Sequence, residues 1–175
     1  MRKKKRFAPR ANKVARIAKS QVGYHEGRSG GHWNNKQKYS GQVPGLEWSN
    51  NQPWCATFVS WVVMVAKVGH LYPRTASCDV GAGWFKARGQ WSEYPAKGAQ
   101  VFFGYPHDLV HTGIVTDFDD TYIYTVEGNT NGDGSREGDG VYFKKRLRRD
   151  PWVVGYGYPD FNLPLKSADP FYRNE

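Results

Sequence analysis

Cys55 sits where a reactive thiol is built rather than where an inert one is hidden. The segment NNQPWCATFVSWVV, Asn50 to Val63, changes abruptly from polar and proline-broken to apolar. Phe58, Trp61, Val62 and Val65 then recur at intervals of three and four, the spacing of a helix face. Cys55 thus falls in the first turn of a predicted helix. There, unpaired backbone N–H groups and the positive end of the helix dipole favour the thiolate, the form that attacks a carbonyl carbon. A free cysteine is more often a small buried hydrophobe, so Cys55 gains meaning only from its partners.

Those partners lie in VHTGIVTDFDDTYIYTVEGNTN, Val110 to Asn131, which reads as two strands joined by a polar turn at Asp119 and Asp120. His111 opens the first strand; Glu127 and Asn129 close the second. Register decides whether they meet. A three-residue loop, Asp119 to Thr121, sets His111 opposite Asn129 and diagonal to Glu127 on one face, whereas a two-residue loop separates them. The odd loop is the preferred reading. It delivers an imidazole base, a carboxylate to orient it and an amide to buttress it, which is the logic of an activated cysteine.

Four stretches in this order, PWCATFVSWV, KGAQVFFG, HTGIV and VEGNTNG, resemble the CHAP domain, a papain-like cysteine amidohydrolase and peptidase family acting on bacterial cell-wall peptides. The resemblance runs roughly from Val14 to Tyr158. It implies Cys55 as nucleophile, His111 as general base, Glu127 as its orienting carboxylate and Asn129 as a further polar member of the site. It also implies a peptidoglycan hydrolase, an N-acetylmuramoyl-L-alanine amidase or an endopeptidase, of the kind phages use as lysins. The alternative from another class is a wall-binding or nucleic-acid-binding module that kept the fold and lost catalysis.

Some enzymes of this family carry an Asp-rich calcium loop before the nucleophile. Here Leu46 to Pro53 offers Glu47 as its one acid, too few hard oxygen ligands, so no metal and no cofactor is expected. Neither cysteine has zinc spacing. The backbone N–H of Cys55 is one oxyanion donor. Asn50, Asn51 and Gln52 all compete for a side-chain role, and each reads equally well as a cap or turn former. Pairing Cys55 with Cys78 in a disulfide would consume the nucleophile, so Cys78 is read as packing. His107 lies in a loop containing Pro106 and Asp108 and is a weaker base candidate than His111, while His25, His32 and His70 read as solvated.

With 175 residues, 39% hydrophobic and 15% aromatic, the chain can bury one sizeable core, which excludes disordered and fibrous classes. No apolar run approaches the ~20 residues of a membrane helix, so membrane insertion is not expected. MRKKKRF has the flavour of a signal n-region, but Ala8 to Lys19 brings further basic residues instead of an apolar stretch. The expected route is therefore synthesis in a host cytoplasm, then release to the wall at phage lysis or from the virion. The whole-chain charge of +9 equals that of residues 1–28 alone. A basic arm leading a near-neutral domain reads as an electrostatic tether. Peptidoglycan and anionic wall polymers are its expected partners. Nucleic acid is not, because the aromatics follow core periodicity instead of interleaving with Lys and Arg. A monomer is expected.

The organisation expected is a basic arm over 1–12, a catalytic domain over 13–160 and a tail over 161–175. Val14, Ile17, Ala18, Gln21 and Val22 predict one face of a first helix ending near Gly23. Tyr24 to Ser49 reads as a long loop and a candidate lid. The Cys55 helix is expected to stop at Gly69, and a shorter one to span Val80 to Arg88. Strands follow near Gln100–Gly104, Val110–Phe118, Tyr122–Glu127, Gly140–Lys145 and Trp152–Tyr158. Helices first and an antiparallel sheet after make an α+β, papain-like layout with the nucleophile helix packed on the sheet that carries the base.

Overall fold

Proline supplies the first helix start: α1 runs Pro9–Ser20, with Pro9 at its first position, where a missing N–H costs nothing. The computed structural model describes residues 6–132 and 138–172. Ala11, Val14, Ala15 and Ala18 are the buried stripe of α1. The helix starts four residues before the expected domain boundary, because Ala8 and Ala11 are core residues and the Ala8 N–H donates to Pro164 O at 3.0 Å. The arm is correspondingly shorter, and its first five residues lie outside the described part. Val22, expected on the buried face, is 45% exposed, since the helix ends at Ser20.

The expected lid is packed structure. It holds the short hairpin β1 (Arg28–Ser29) and β2 (His32–Trp33), then 3-10 turns at Ser40–Gln42 and Glu47–Ser49. Tyr39, Val43, Leu46 and Ser49 within it are buried. Tyr39 is the hub, with ring contacts to Tyr24, Trp54, Phe58 and Trp61. Burial of this many aromatic faces outweighs the loop-like composition.

Helix α2 spans Cys55–Val65, with Cys55 through Val63 all buried. It is the central helix rather than an amphipathic surface one. Helix α3 spans Cys78–Ala87, starting two residues earlier than expected because Ser77 caps it, its hydroxyl accepting from Val80 N at 3.2 Å. The strands are β3 (Trp91–Ser92), β4 (Gln100–Tyr105), β5 (Asp108–Phe118), β6 (Tyr122–Thr130), β7 (Gly140–Leu147) and β8 (Val153–Gly157). They form one sheet in the order β3-β8-β4-β5-β6-β7, antiparallel throughout. Helix α2 packs on β5 and β6, and α3 on β5 and β8. The architecture is α+β and papain-like. The final segment is no loose tail as far as it is described: Phe161 and Leu165 are buried, and Lys97 N–H donates to Lys166 O at 2.9 Å. Among the described residues, no helix is long and apolar enough to cross a membrane.

Candidate active site

Cys55 is the first residue of α2, so its position depends on what anchors the helix start. Trp54 precedes it and is fully buried, a core residue rather than a cleft wall. Its indole Nε1 donates to Glu26 Oε2 at 2.6 Å, and Glu26 also accepts from Asn35 N at 2.8 Å. From the other side β6 presses in at Gly128, where a Cβ would stand 2.7 Å from Phe58 Cβ and 2.8 Å from the Trp54 ring. Only glycine lets the strand backbone pass this close. The next residue back along the pleat, Glu127, points to the opposite face of β6.

That face carries His111 and Glu127 together. His111 Nε2 lies 2.7 Å from Glu127 Oε1, with the imidazole 10% and the carboxylate 0% exposed. With Nε2 engaged there, Nδ1 is the ring nitrogen left for the neighbouring Cys55, whose ionisation is linked to that of His111. Gly113 makes room for the pair: a Cβ on it would sit 2.5 Å from Glu127 Cγ. The register that brings them together differs in origin from the one expected. Phe118 pairs with Ile123 and Asp117 with Tyr124, as a two-residue loop would dictate, and Asp119 N–H donates to Tyr122 O. A β-bulge at Thr116 then takes up one residue, so that Val115 pairs with Thr125 and Ile114 with Val126. The bulge, not the loop length, flips the side chains onto a common face.

Asn129 turns elsewhere. Pairing of β6 with β7 slips between Glu127 and Thr130, and Asn129 takes a left-handed φ of 50°. The alternation that would have aimed it at His111 ends there. Its Oδ1 lies towards Gly138, where a Cβ would come within 2.7 Å of it. The residues brought together are therefore Cys55, His111 and Glu127.

Sequence reasoning missed Arg146, which stands in the basic run Lys144–Arg149. On β7 the residues alternate in exposure, and Arg146 is on the inward set. Its Nη2 donates to Glu127 Oε1 at 2.6 Å and its Nε to Oε2 at 2.7 Å, a two-pronged grip on the carboxylate. The Thr125 hydroxyl donates to Oε2 as well. The guanidinium lies over Phe103 and Trp152, 4.8 and 5.0 Å from the ring centroids. The same two rings stack on the His111 imidazole, at 5.6 and 5.9 Å. One signal was present in the sequence: an arginine on the inward phase of a strand is rarely left unpaired.

The electrostatics follow from this array. Burial opposes ionisation of Glu127, but the Arg146 and His111 hydrogen bonds and charges outweigh it and bring the carboxyl down to about 2. Burial would also lower His111, yet its bonds to Cys55 and Glu127 prevail and raise it to about 9. Cys55 is held well below the ordinary thiol range, first by the adjacent Cys78 thiol, then, against burial, by the bond and charge of His111 and the N–H of Ala56. The four side chains alternate in sign: thiolate, imidazolium, carboxylate, guanidinium. Such a chain suits a nucleophile that must be ionised near neutral pH beside a proton donor.

Cys78, expected to be mere packing, starts α3 with its sulfur 3.7 Å from that of Cys55. His107 is exposed in the turn between β4 and β5. Asn50 Oδ1 accepts from the N–H groups of Gln37 and Asn51, and Asn51 has a left-handed φ of 67°, so both shape the turn before α2. Among the described residues no cluster of three or more His, Cys, Asp or Glu is placed to hold a metal ion.

No curated protein and no solved structure matches the chain significantly. Residues 47–129 match the family model of the CHAP domain, a span that opens before the turn leading into α2 and ends with β6. Cys55, His111 and Glu127 all fall inside that match, whereas Arg146 and Trp152 lie beyond it. Residues 47–129 are thus similar to the CHAP domain, and that match supports hydrolase chemistry of the amidase and peptidase class.

Proposed function

We propose that this protein is a cysteine peptidoglycan hydrolase that cleaves an amide bond in cell-wall peptides, either between muramic acid and the first alanine or within the stem and cross-linking peptides. The observation that carries the reading is the Cys55–His111–Glu127 relay, with the thiol at a helix start and the carboxylate fully buried. The Cys55 thiolate attacks the carbonyl carbon, and the backbone N–H of Cys55 is placed to receive the oxyanion. His111 gives its proton to the leaving amine, leaving a thioester on Cys55. Water, deprotonated by His111, then attacks the thioester and releases the acid and the thiolate. Glu127 fixes the ring and balances its charge throughout.

The proposed context is a phage lysin, released at host lysis or carried on the virion, that works as a monomer on the outer wall. The basic N-terminal arm and α1, with Arg10, Lys13, Arg16 and Lys19, support association with anionic wall polymers. The deciding experiment is turbidity clearing of purified Gram-positive walls by wild type and Cys55→Ala, with mass spectrometry of the fragments to name the bond. Equal clearing by the two proteins would overturn the mechanism. Hydrolysis of other amides without clearing would overturn the substrate.

A further inference from the structure

Cys55 and Cys78 are 23 residues apart, yet each opens a helix and their sulfurs meet at 3.7 Å, both residues more than nine-tenths buried. This contact is held by independent anchors. Ser77 locks the first turn of α3 through Val80 N, and Asp79 Oδ1 accepts from Leu109 N at 3.1 Å, two residues before His111 on β5. The α3 start is therefore tied to the strand that bears the imidazole, and Cys78 cannot drift relative to His111 without breaking that bond.

The surroundings decide which sulfur keeps the proton. Cys55 faces the His111 ring and the Ala56 N–H, both of which favour negative charge. Cys78 faces the Cys55 sulfur, is buried, and is followed by the Asp79 carboxylate, all of which disfavour it. We propose that Cys78 is a positioning residue for the nucleophile, its S–H donating to the Cys55 thiolate and aiming that sulfur between His111 and the carbonyl to be attacked. This inference rests on Cys55 being the nucleophile. A sulfur donor is weaker than water or a backbone N–H, so it directs the thiolate without quenching its attack. The bond lapses when the sulfur is acylated and reforms as the thiolate leaves, which favours release of the acyl group. The upward push on the Cys78 thiol agrees with its remaining a donor at every working pH.

The test needs no substrate. The pH dependence of Cys55 alkylation by iodoacetamide, under a phosphine reductant that keeps both sulfurs as thiols, is compared for wild type, Cys78→Ala, Cys78→Val and Cys78→Ser. Loss of the donor in the Ala and Val variants is expected to raise the midpoint by about one pH unit, the scale of one charge-assisted hydrogen bond. Cys78→Ser, whose hydroxyl still donates, is expected to restore most of it. Val fills the space that Ala vacates, so the series stays readable if Ala unfolds. A midpoint unchanged in the folded donor-free variants, or shifted equally in Ser and Val, would overturn the inference. A shifted midpoint in a protein that clears no wall would uphold it while refuting the hydrolase reading.

Discussion

Arg146→Met removes both prongs on Glu127 while keeping most of the apolar stem against Phe103 and Trp152. The two bonds are short, 2.6 and 2.7 Å, and charge-assisted, and the carboxylate they hold has no exposure to water. Removing one partner of a buried pair costs about 3–5 kcal/mol. The arginine side chain is itself 22% exposed, so water enters part of the vacated space and the expected cost falls to about 2–4 kcal/mol. In a domain of this size that lowers the melting temperature by roughly 6–12 °C. Arg146→Lys keeps a charge without the fork and should recover about half of the loss. The pH dependence carries the sign. The Glu127 carboxyl is depressed from 4.5 to about 2, so its contribution is fully present above 4.5 and lost as pH falls through about 2. The Arg146 hydrogen bonds are the leading cause of that depression, ahead of the bond and charge of His111. The gap between wild type and Arg146→Met should therefore be widest at neutral pH, narrow below 4.5 and close towards pH 2. Wall hydrolysis should fall about 10–100-fold in kcat, because an unsteadied carboxylate no longer fixes the His111 ring. Thermal melts at pH 7 and pH 3 decide the matter. A Met variant melting within a degree or two of wild type at pH 7, or a gap equally wide at both, would refute the reasoning.

Cys55→Ala should abolish wall clearing, leaving circular dichroism and melting little changed, since the thiol contributes chemistry rather than volume. With His111 titrating near 9, kcat/KM should fall above that pH as the imidazolium that protonates the leaving amine is lost; a rate profile from pH 5 to 10.5 measures the limb. Gly128→Ala should cost about 1–3 kcal/mol and lower activity even well below its melting temperature, because a methyl there drives β6 away from the start of α2. Deleting Met1–Lys5 removes Arg2, Lys3, Lys4 and Lys5 and spares Ala8 and Arg10, which bond to Pro164 and Phe161. Clearing of intact walls should weaken most at low salt, and turnover of a small soluble muropeptide should not change; a salt series on both substrates separates tethering from folding.

Local pattern was enough for much of this molecule. The switch from Pro53 to an apolar run of period three to four marks a helix start at Cys55, because a helix signals its beginning within a few residues. The alternation in Val110–Phe118 and Tyr122–Glu127 marks strands for the same reason, and four ordered motifs identified the family. The Tyr24–Ser49 segment was misread as a lid because its Gly, Asn and Ser content describes the backbone, while its fate is set by the distant rings around Tyr39.

The contacts that cross between elements depend on the assembled fold. The common face of His111 and Glu127 depends on a bulge at Thr116, and a bulge has no sequence signature apart from the strand it must match. Asn129 leaves the expected face through a second slip, against β7. Arg146 comes to Glu127 from a strand beyond the matched motifs, and Cys78 comes to Cys55 from the start of another helix. The chain by itself determined which side chains are able to do chemistry and on which elements they stand, since propensity and periodicity act over a few residues. Which of them share hydrogen bonds was left to the packing of those elements, where one residue of register or one glycine without a Cβ moves a side chain from one face to the other.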